Sequence, residues 1–293
     1  MKIKAKVIEG VQIGAKFGIA TANLELNSLP KIEEGVYLVT VNLEQKSYDA
    51  LFHFGPRKTF GGDFSAEVHI LDFNQEIYGE TLNIELGKKL REVRAFKNAD
   101  QLFTQIETDI LVARKYFMRQ KIKKQWNALS LHDQAVLSEK AVHHISAKVE
   151  FLEAKRVFVY APQLGKEISF VAPLMEKFPD KDYLFPVVKG EAMEFFKVDD
   201  YKVLEPADFG IMAPKAEGIS FNVEAGDLML VPAVAADKNG NRLGKGGGFY
   251  DKYLATLDSS VKTLAILPRF AVVDKVPTQK HDQTLDGVVE CEV

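Results

Sequence analysis

Between Asn98 and Leu129 the sequence contains neither proline nor glycine, and apolar residues recur at Leu102, Ile106, Ile110, Ala113, Phe117, Ile122, Trp126 and Leu129. Steps of mostly three and four place those side chains on one stripe of an α-helix. About thirty residues of helix would run about 45 Å. The texture differs on either side of it. Before it, "GVYLVTVNL", "YDALFHF", "AEVHILDF" and "TLNIEL" are short runs rich in β-branched and aromatic residues. Their spacing predicts an antiparallel barrel or sandwich. After it, "KRVFVYA", "DYLFPVV", "GDLMLVPAVA" and "KTLAILP" are compact apolar runs with helix-like stretches between several of them. That rhythm predicts an α/β layered domain with a mostly parallel sheet. The expectation is an α+β multidomain chain with one helix over Ala99 to Leu129. Its first half would pack on the β region and its second half on the α/β layer, joining them stiffly.

Composition narrows the function classes. A chain of 293 residues suggests two domains, and 46% hydrophobic with 27% charged residues is ordinary for a globular protein with a real core. The net charge of -3 gives no bulk electrostatic case for nucleic acid or an anionic membrane, and "RKYFMRQKIKK" is a single basic stretch. The one cysteine, Cys291, excludes an internal disulfide and fits a reducing compartment. The N-terminal residues lack a signal-peptide apolar core, so a cytoplasmic location is expected.

Two glycine-rich stretches carry the chemistry. In the first, Gly10, Gly14 and Gly18 lead into "GIATANL". Such glycines permit tight turns and close approach of N–H groups to phosphate. Thr21 and Asn23 supply oxygens that suit a hard Mg2+ ion. Taken alone, the stretch fits a structural turn as well as a phosphate site. The second, "GNRLGKGGGFYDKYL", has five glycines between Gly240 and Gly248. Gly246 after Lys245 excludes a Walker A loop, which needs Ser or Thr there. The stretch fits either a linker or an anion loop. Gly244, Gly246, Gly247 and Gly248 would expose N–H groups, Arg242 and Lys245 would add charge, and a helix would start near Tyr250.

The first half resembles the riboflavin kinase (flavokinase) family. The resemblance runs from the glycine turn and "TAN" through "GVY" at Gly35–Tyr37 and "FGPRKTF" at Phe54–Phe60. It continues through "EVHILDF" at Glu67–Phe73 and "YG" at Tyr78–Gly79 to "LREVRAF" at Leu90–Phe96 and the helix with Asp109. It covers residues 1–115 and implies a six-stranded Greek-key β-barrel that transfers the γ-phosphoryl of ATP to riboflavin. Carried over, Gly14 and Gly18 approach phosphate, Thr21 and Asn23 hold metal and phosphates, and Glu67 is the general base. From its residues alone, Glu67 fits an exposed strand carboxylate equally. Ala20, Ala15, His53 and Lys58 depart from the family's usual proline, arginine, asparagine and proline. With no adenylyltransferase domain ahead of the barrel and no His-x-Gly-His-type motif, FMN rather than FAD is the expected product.

The second half resembles the 5-formyltetrahydrofolate cyclo-ligase (5,10-methenyltetrahydrofolate synthetase) family over residues 113–293. The resemblance rests on the glycine loop with its flanks "DLMLVPAVAADKNG" and "VPTQKHDQTLDGVV", and more loosely on "KYFMR", "VYAPQLGKEI" and "LFPVV". It implies ATP-dependent ring closure of a formylated folate. Carried over, Lys115, Arg119, Arg242, Gly244, Lys245, Gly246 and Gly248 contact ATP. Asp251 and Asp282 bind Mg2+, Glu167 holds the pterin, and Phe249 and Tyr250 line the pocket. Without the resemblance, Lys115 and Arg119 fit a solvated helix face, and Asp251 fits a first-turn carboxylate. Phe170, Ala213, Ala236 and Gln279 replace the family's threonine, glutamate, phenylalanine and glutamate.

Together these imply domains over 1–115 and 116–293, each using ATP and Mg2+, with riboflavin and 5-formyltetrahydrofolate as small-molecule partners and no nucleic acid or membrane. The rival reading keeps one half active and makes the other a binding or scaffold module. Oligomeric state is left open.

Overall fold

Alternation writes the start of the chain. In β1 (Lys2–Ile8), Ile3, Ala5 and Val7 are buried while Lys2, Lys4 and Lys6 are exposed, the period of a strand with one face on a core. The computed structural model describes residues 1–10, 19–60 and 62–293, so Gly14 and Gly18 lie outside the described residues. β2 (Ala22–Leu24), β3 (Gly35–Leu43), β4 (Lys46–Pro56), β5 (Phe64–Ile70) and β6 (Thr81–Arg91) complete a closed six-stranded barrel among the described residues, in the order β1-β2-β5-β4-β3-β6. Every neighbouring pair is antiparallel. β3, β4 and β5 follow one another in the sheet and β6 returns to lie beside β3, a Greek key. Val39, Val41, Phe52, Val68, Leu82 and Ile84 fill the interior. Burying one ring such as Phe52 stabilises by about 1.5–3 kcal/mol.

The long helix forms as its periodicity predicts. Asn98 caps α1 (Ala99–Trp126) by accepting the Gln101 N–H at 3.0 Å. The helix is unbroken through Lys115. The chain divides into two compact units, Met1–Phe117 and Met118–Val293, and α1 carries residues of both. In the first unit, Ala113 is buried with Val36, Leu38, Leu51 and Leu71 on the outer face of the barrel. Arg91 on β6 grips Asp109 through Nε at 2.8 Å, and Gln105 donates to the other carboxylate oxygen at 2.8 Å. In the second unit, Ile122 and Trp126 join the core. The helix stops at Trp126 rather than Leu129. Its end tightens, with Ala128 N donating to Gln125 O at 3.1 Å and Leu129 N to Trp126 O at 3.2 Å. Ser130 then opens α2 (Leu131–Ser146) with a capping box: its hydroxyl accepts Asp133 N at 3.1 Å and Asp133 accepts Ser130 N at 3.0 Å.

The second unit continues with α3 (Val149–Glu153), β7 (Arg156–Phe158), α4 (Val171–Lys177), β8 (Asp182–Lys189), β9 (Ala192–Lys197), β10 (Glu205–Pro206), β11 (Met212–Ala213), β12 (Ser220–Phe221) and β13 (Leu228–Leu230). Then come β14 (Ala235–Asp237), β15 (Arg242–Leu243), α5 (Phe249–Leu254), β16 (Lys262–Pro268), β17 (Val272–Val273) and β18 (Gly287–Cys291). The main sheet runs β12-β9-β8-β7-β13-β16-β18. From β8 to β18 its neighbours are parallel, and β9 and β12 add an antiparallel edge. The sheet is thus mostly parallel, as expected. Its middle strands are apolar on both faces, as in β13, because parallel strands of this kind are covered on both sides. β15-β14-β17 form a small separate sheet from which the glycine loop leaves. No helix among the described residues is long and apolar enough to cross a membrane.

Candidate functional site

Strand register assembles the site of the first unit. Glu67 on β5 lies directly opposite Asn23 on β2 and His53 on β4. Ala66 and Val68 beside it pack into the barrel, so Glu67 faces outward together with Ser65. Arg57, just past β4, donates through Nε to Glu67 Oε1 at 2.8 Å and through Nη2 to Asn23 Oδ1 at 2.9 Å. The Ser65 hydroxyl donates to the same Oε1 at 2.9 Å, and Thr21 donates to Oε2 at 3.3 Å. With its side chain 21% exposed, Glu67 is neither a solvated strand carboxylate nor a sealed ion pair. A Cβ on Gly10 would come within 1.8 Å of Asn23 Nδ2, so only glycine leaves Asn23 its seat.

His53 Nδ1 sits 3.5 Å from the Ser65 hydroxyl. Burial holds its imidazole below the ordinary value, Glu67 pulls it back up, and Arg91 and Arg57 add to the lowering. His69 is likewise lowered by burial, against a 2.7 Å contact of its Nδ1 with Ala20 O. A cavity of about 160 Å³ opens here between the barrel face and α1, lined among others by Thr21, His53, Arg57, Glu67, Phe96 and Phe103. A carboxylate with one oxygen held firmly and the other lightly engaged can accept a proton from a hydroxyl in such a cavity. The Thr21 and Asn23 oxygens are hard donors of the kind Mg2+ takes, and the Asn23 oxygen already accepts from Arg57. The structure brings Thr21, Asn23 and Glu67 near one another, Thr21 donating to Glu67 and Asn23 lying opposite it. Sequence reasoning gave no role to Arg57, Ser65 or His53, whose signal is the strand pairing and not the local sequence.

The site of the second unit is built on the glycine loop. Gly246 has φ +105 and Gly248 φ +73, values at which side chains are strained. Arg119 on α1 donates through Nε to Gly244 O at 2.9 Å. Burial lowers its guanidinium, with Asp282 opposing. Arg242 is buried, donates through Nη2 to Asp251 Oδ1 at 2.8 Å, and lies 5.8 Å from the centre of the Tyr250 ring. Burial lowers Arg242 too, with Asp251 opposing most strongly. Among the described residues, the buried Arg242 Nε and Tyr250 hydroxyl have no hydrogen-bond partner. Burial pushes the Tyr250 phenol up. Glu167 accepts Gln163 N on Oε2 at 2.8 Å. Its Oε1 has Lys245 Nζ at 2.9 Å, an ion-pair contact that lacks hydrogen-bond geometry.

A cavity of about 420 Å³ is lined by Tyr160, Arg242, Gly244 to Gly248, Phe249, Tyr250 and Asp251. Orphaned donors, a lysine and a glycine turn with positive φ on one cavity fit a polyanion such as a nucleotide triphosphate. Among the described residues, no three or more His, Cys, Asp or Glu side chains are placed to hold a metal ion. Mg2+ on phosphate needs only one or two protein carboxylates, and Asp282 and Asp251 are the acids near the guanidinium groups. Asp251 is engaged by Arg242, while Asp282 accepts Gln279 N at 2.7 Å. Lys115 falls in the first unit and Arg119 in the second.

Asp237 was missed by sequence reasoning. It is fully buried, which alone would raise its carboxyl. N–H donation from Val276, Asn239 and Asn241 outweighs that and holds it low. It thereby pins the start of the segment that carries Asp282. Phe170 and Ala236, two of the departures noted above, are fully buried in the core.

The mostly parallel sheet, the glycine loop and the buried donors belong to one α/β unit. The chain belongs to the 5-formyltetrahydrofolate cyclo-ligase family, whose model matches residues 112–290, and residues 1–117 match the riboflavin kinase (Flavokinase) family model. The solved structure of Aquifex aeolicus 5,10-methenyltetrahydrofolate synthetase is 30% identical, with a TM-score of 0.53, and the match covers 60% of this chain and 89% of that one. The bifunctional riboflavin kinase/FMN adenylyltransferase of Pseudomonas fluorescens is 35% identical over 115 residues, which is 39% of this chain and 37% of that protein. The trifunctional protein RibF/MnmA of Mycoplasmoides gallisepticum is 35% identical over 130 residues, 44% of this chain and 20% of that protein. The chain therefore spans only 20% to 37% of the length of these two curated relatives.

Proposed function

We propose that the chain is a bifunctional enzyme of cofactor metabolism, with domains over 1–115 and 116–293. The first phosphorylates riboflavin to FMN with ATP. The second closes 5-formyltetrahydrofolate to 5,10-methenyltetrahydrofolate with ATP. The observation that carries this reading is the coincidence, in each unit, of a family match with a cavity holding the chemistry that family needs. The reactions and their small-molecule partners point to the cytoplasm.

In the first domain Glu67 takes the proton of the ribityl 5′-hydroxyl as its oxygen attacks the γ-phosphorus and ADP leaves. Arg57 and Ser65 fix Oε1, which orients Oε2 toward the cavity. Thr21 and Asn23 would hold Mg2+, which neutralises phosphate charge, and Gly14 and Gly18 would approach the phosphates. In the second domain the formyl oxygen attacks the γ-phosphorus, ADP leaves, and N10 then displaces phosphate from the activated carbon. Arg119, Arg242, Lys245 and the N–H groups of Gly244, Gly246 and Gly248 meet the growing negative charge. Asp251 and Asp282 would hold Mg2+, Glu167 the pterin, and Phe249 and Tyr250 the walls.

The test is ATP turnover by the whole chain with riboflavin or 5-formyltetrahydrofolate added separately, following FMN and methenyltetrahydrofolate. Turnover with each substrate supports the reading. Turnover with one alone reduces the other half to a binding module, and turnover with neither removes both assignments.

A further inference from the structure

Lys245 stands between two anions. The reading above gives it to the nucleotide phosphates, yet its ammonium lies 2.9 Å from Glu167 Oε1. Glu167 is behind the cavity wall, with only 5% of its side chain exposed, while Lys245 on the wall is 42% exposed. Gln163 N occupies Oε2 at 2.8 Å, so Oε1 is the atom whose charge depends on Lys245. The contact lacks hydrogen-bond geometry, so the ammonium is held mostly by charge and is replaceable. The phenols of Tyr160, Tyr201 and Tyr250 also feel the Glu167 charge and bring no positive charge.

One ammonium cannot neutralise a phosphate and Glu167 equally well. Drawn toward phosphate, it leaves a buried carboxylate oxygen uncompensated, which is unfavourable. A heterocycle that presents adjacent N–H donors to Oε1, as the amino-pyrimidinone edge of a pterin does, removes that cost. We propose that Lys245 is a positioning residue that couples the two ligands of this unit, so that nucleotide and folate each tighten the binding of the other. The proposal rests on the assignment of folate and ATP to this cavity. Because coupling is reciprocal, it can be read from the folate side alone, where nucleotide bound to the first unit does not register.

The experiment is calorimetric titration of 5-formyltetrahydrofolate into the full chain, with and without a saturating non-hydrolysable ATP analogue and Mg2+. In the wild type, Kd is expected to fall about tenfold on adding the analogue, within the usual range of ligand coupling. In Lys245→Met that ratio drops to near one, and folate without nucleotide binds more tightly than to the wild type, because Oε1 is released. In Glu167→Gln the ratio also drops to near one. A purely structural Lys245 would instead weaken folate binding equally with and without the analogue and keep the ratio. An unchanged ratio in Lys245→Met, or a wild-type ratio of one with measurable folate binding, overturns the coupling and leaves the folate assignment standing. A wild type that binds no folate in either condition overturns the assignment and the coupling with it. If Lys245→Met loses its cooperative thermal transition, Glu167→Gln decides.

Discussion

The two sites are made in opposite ways. In the first unit, Asn23, Glu67 and His53 come from β2, β5 and β4 and meet because three strands are in register. In the second, Arg242, Lys245 and the glycines meet because they are neighbours in one loop, and Arg119 and Glu167 are added from elsewhere. A site woven into a sheet inherits the sheet's rigidity, and a slip of one residue would turn Glu67 into the barrel. A site on a loop can shift a cation between partners without disturbing the core. The first arrangement suits a base that must be aimed, and the second suits charges that must follow phosphate.

The largest expected effect tests the woven site. Glu67→Gln keeps shape and a hydrogen-bonding oxygen but cannot take the hydroxyl proton. FMN formation should fall about 10² to 10⁴-fold, in kcat more than KM, with methenyltetrahydrofolate formation unchanged in the same preparation. A fall of less than about threefold, far short of that range, would return Glu67 to the role of a strand carboxylate. Next comes the loop. Gly246→Val puts a branched side chain at φ +105, with its Cβ 3.7 Å from Arg119 Nη2. Cyclo-ligase kcat/KM should drop about 10²-fold, the scale of losing one preorganised donor, while FMN formation survives. Unchanged cyclo-ligase kinetics in a folded variant would remove the phosphate loop.

Arg57→Lys sharpens the contrast at smaller scale. Arg57 spans Glu67 and Asn23 with two nitrogens, which a single ammonium cannot do. A kcat loss of about tenfold, the size of one charge-assisted hydrogen bond at about 1.5–3 kcal/mol, is expected with little change in KM for riboflavin. An equal loss of kcat in Arg57→Lys and Glu67→Gln would mean that the guanidinium does more than aim the carboxylate. The smallest effect concerns pH. The folded pKa of His53 is below its unfolded value, so below about pH 6.5 the unfolded chain binds more protons at this position. This contribution to stability is present above that pH and is lost as pH falls through it. Thermal midpoints between pH 7.5 and 5.5 should therefore decline less steeply in His53→Asn than in the wild type. Equal slopes would place the imidazole in a more solvated setting than its burial indicates.

The contrast also explains what could be read in advance. The loop site was legible because its residues are contiguous: "GNRLGKGGGFYDKYL" names most of its own parts. The α1 periodicity was legible because an apolar stripe, interrupted by the buried Asp109, runs along the helix, but its end was not. The helix ends in a tightened turn at Ala128 and Leu129, before the capping box of Ser130 and Asp133 starts α2. The partners of Glu67 were hidden because a strand sequence does not state which strand lies beside it. The burial of Asp237 and of Glu167 was opaque in another way, since a buried carboxylate and a solvated one are spelled alike. Phe170 and Ala236, which replace the family's usual threonine and phenylalanine, sit in the core, where a change of side chain is answered by repacking.

The helix that supplies Ala113 to one core and Ile122 to the other has a consequence for taking the protein apart. The divide between Phe117 and Met118 falls inside a continuous run of i to i+4 hydrogen bonds, so no linker exists there to cut. A fragment ending at Phe117 would fray the turn that buries Ala113, while one ending at Trp126 would retain it at the expense of exposing Ile122. Dissection therefore calls for overlapping pieces that both carry α1. The same geometry would make the joined form hard for gene breakage to undo, since a break at the divide damages both products at once.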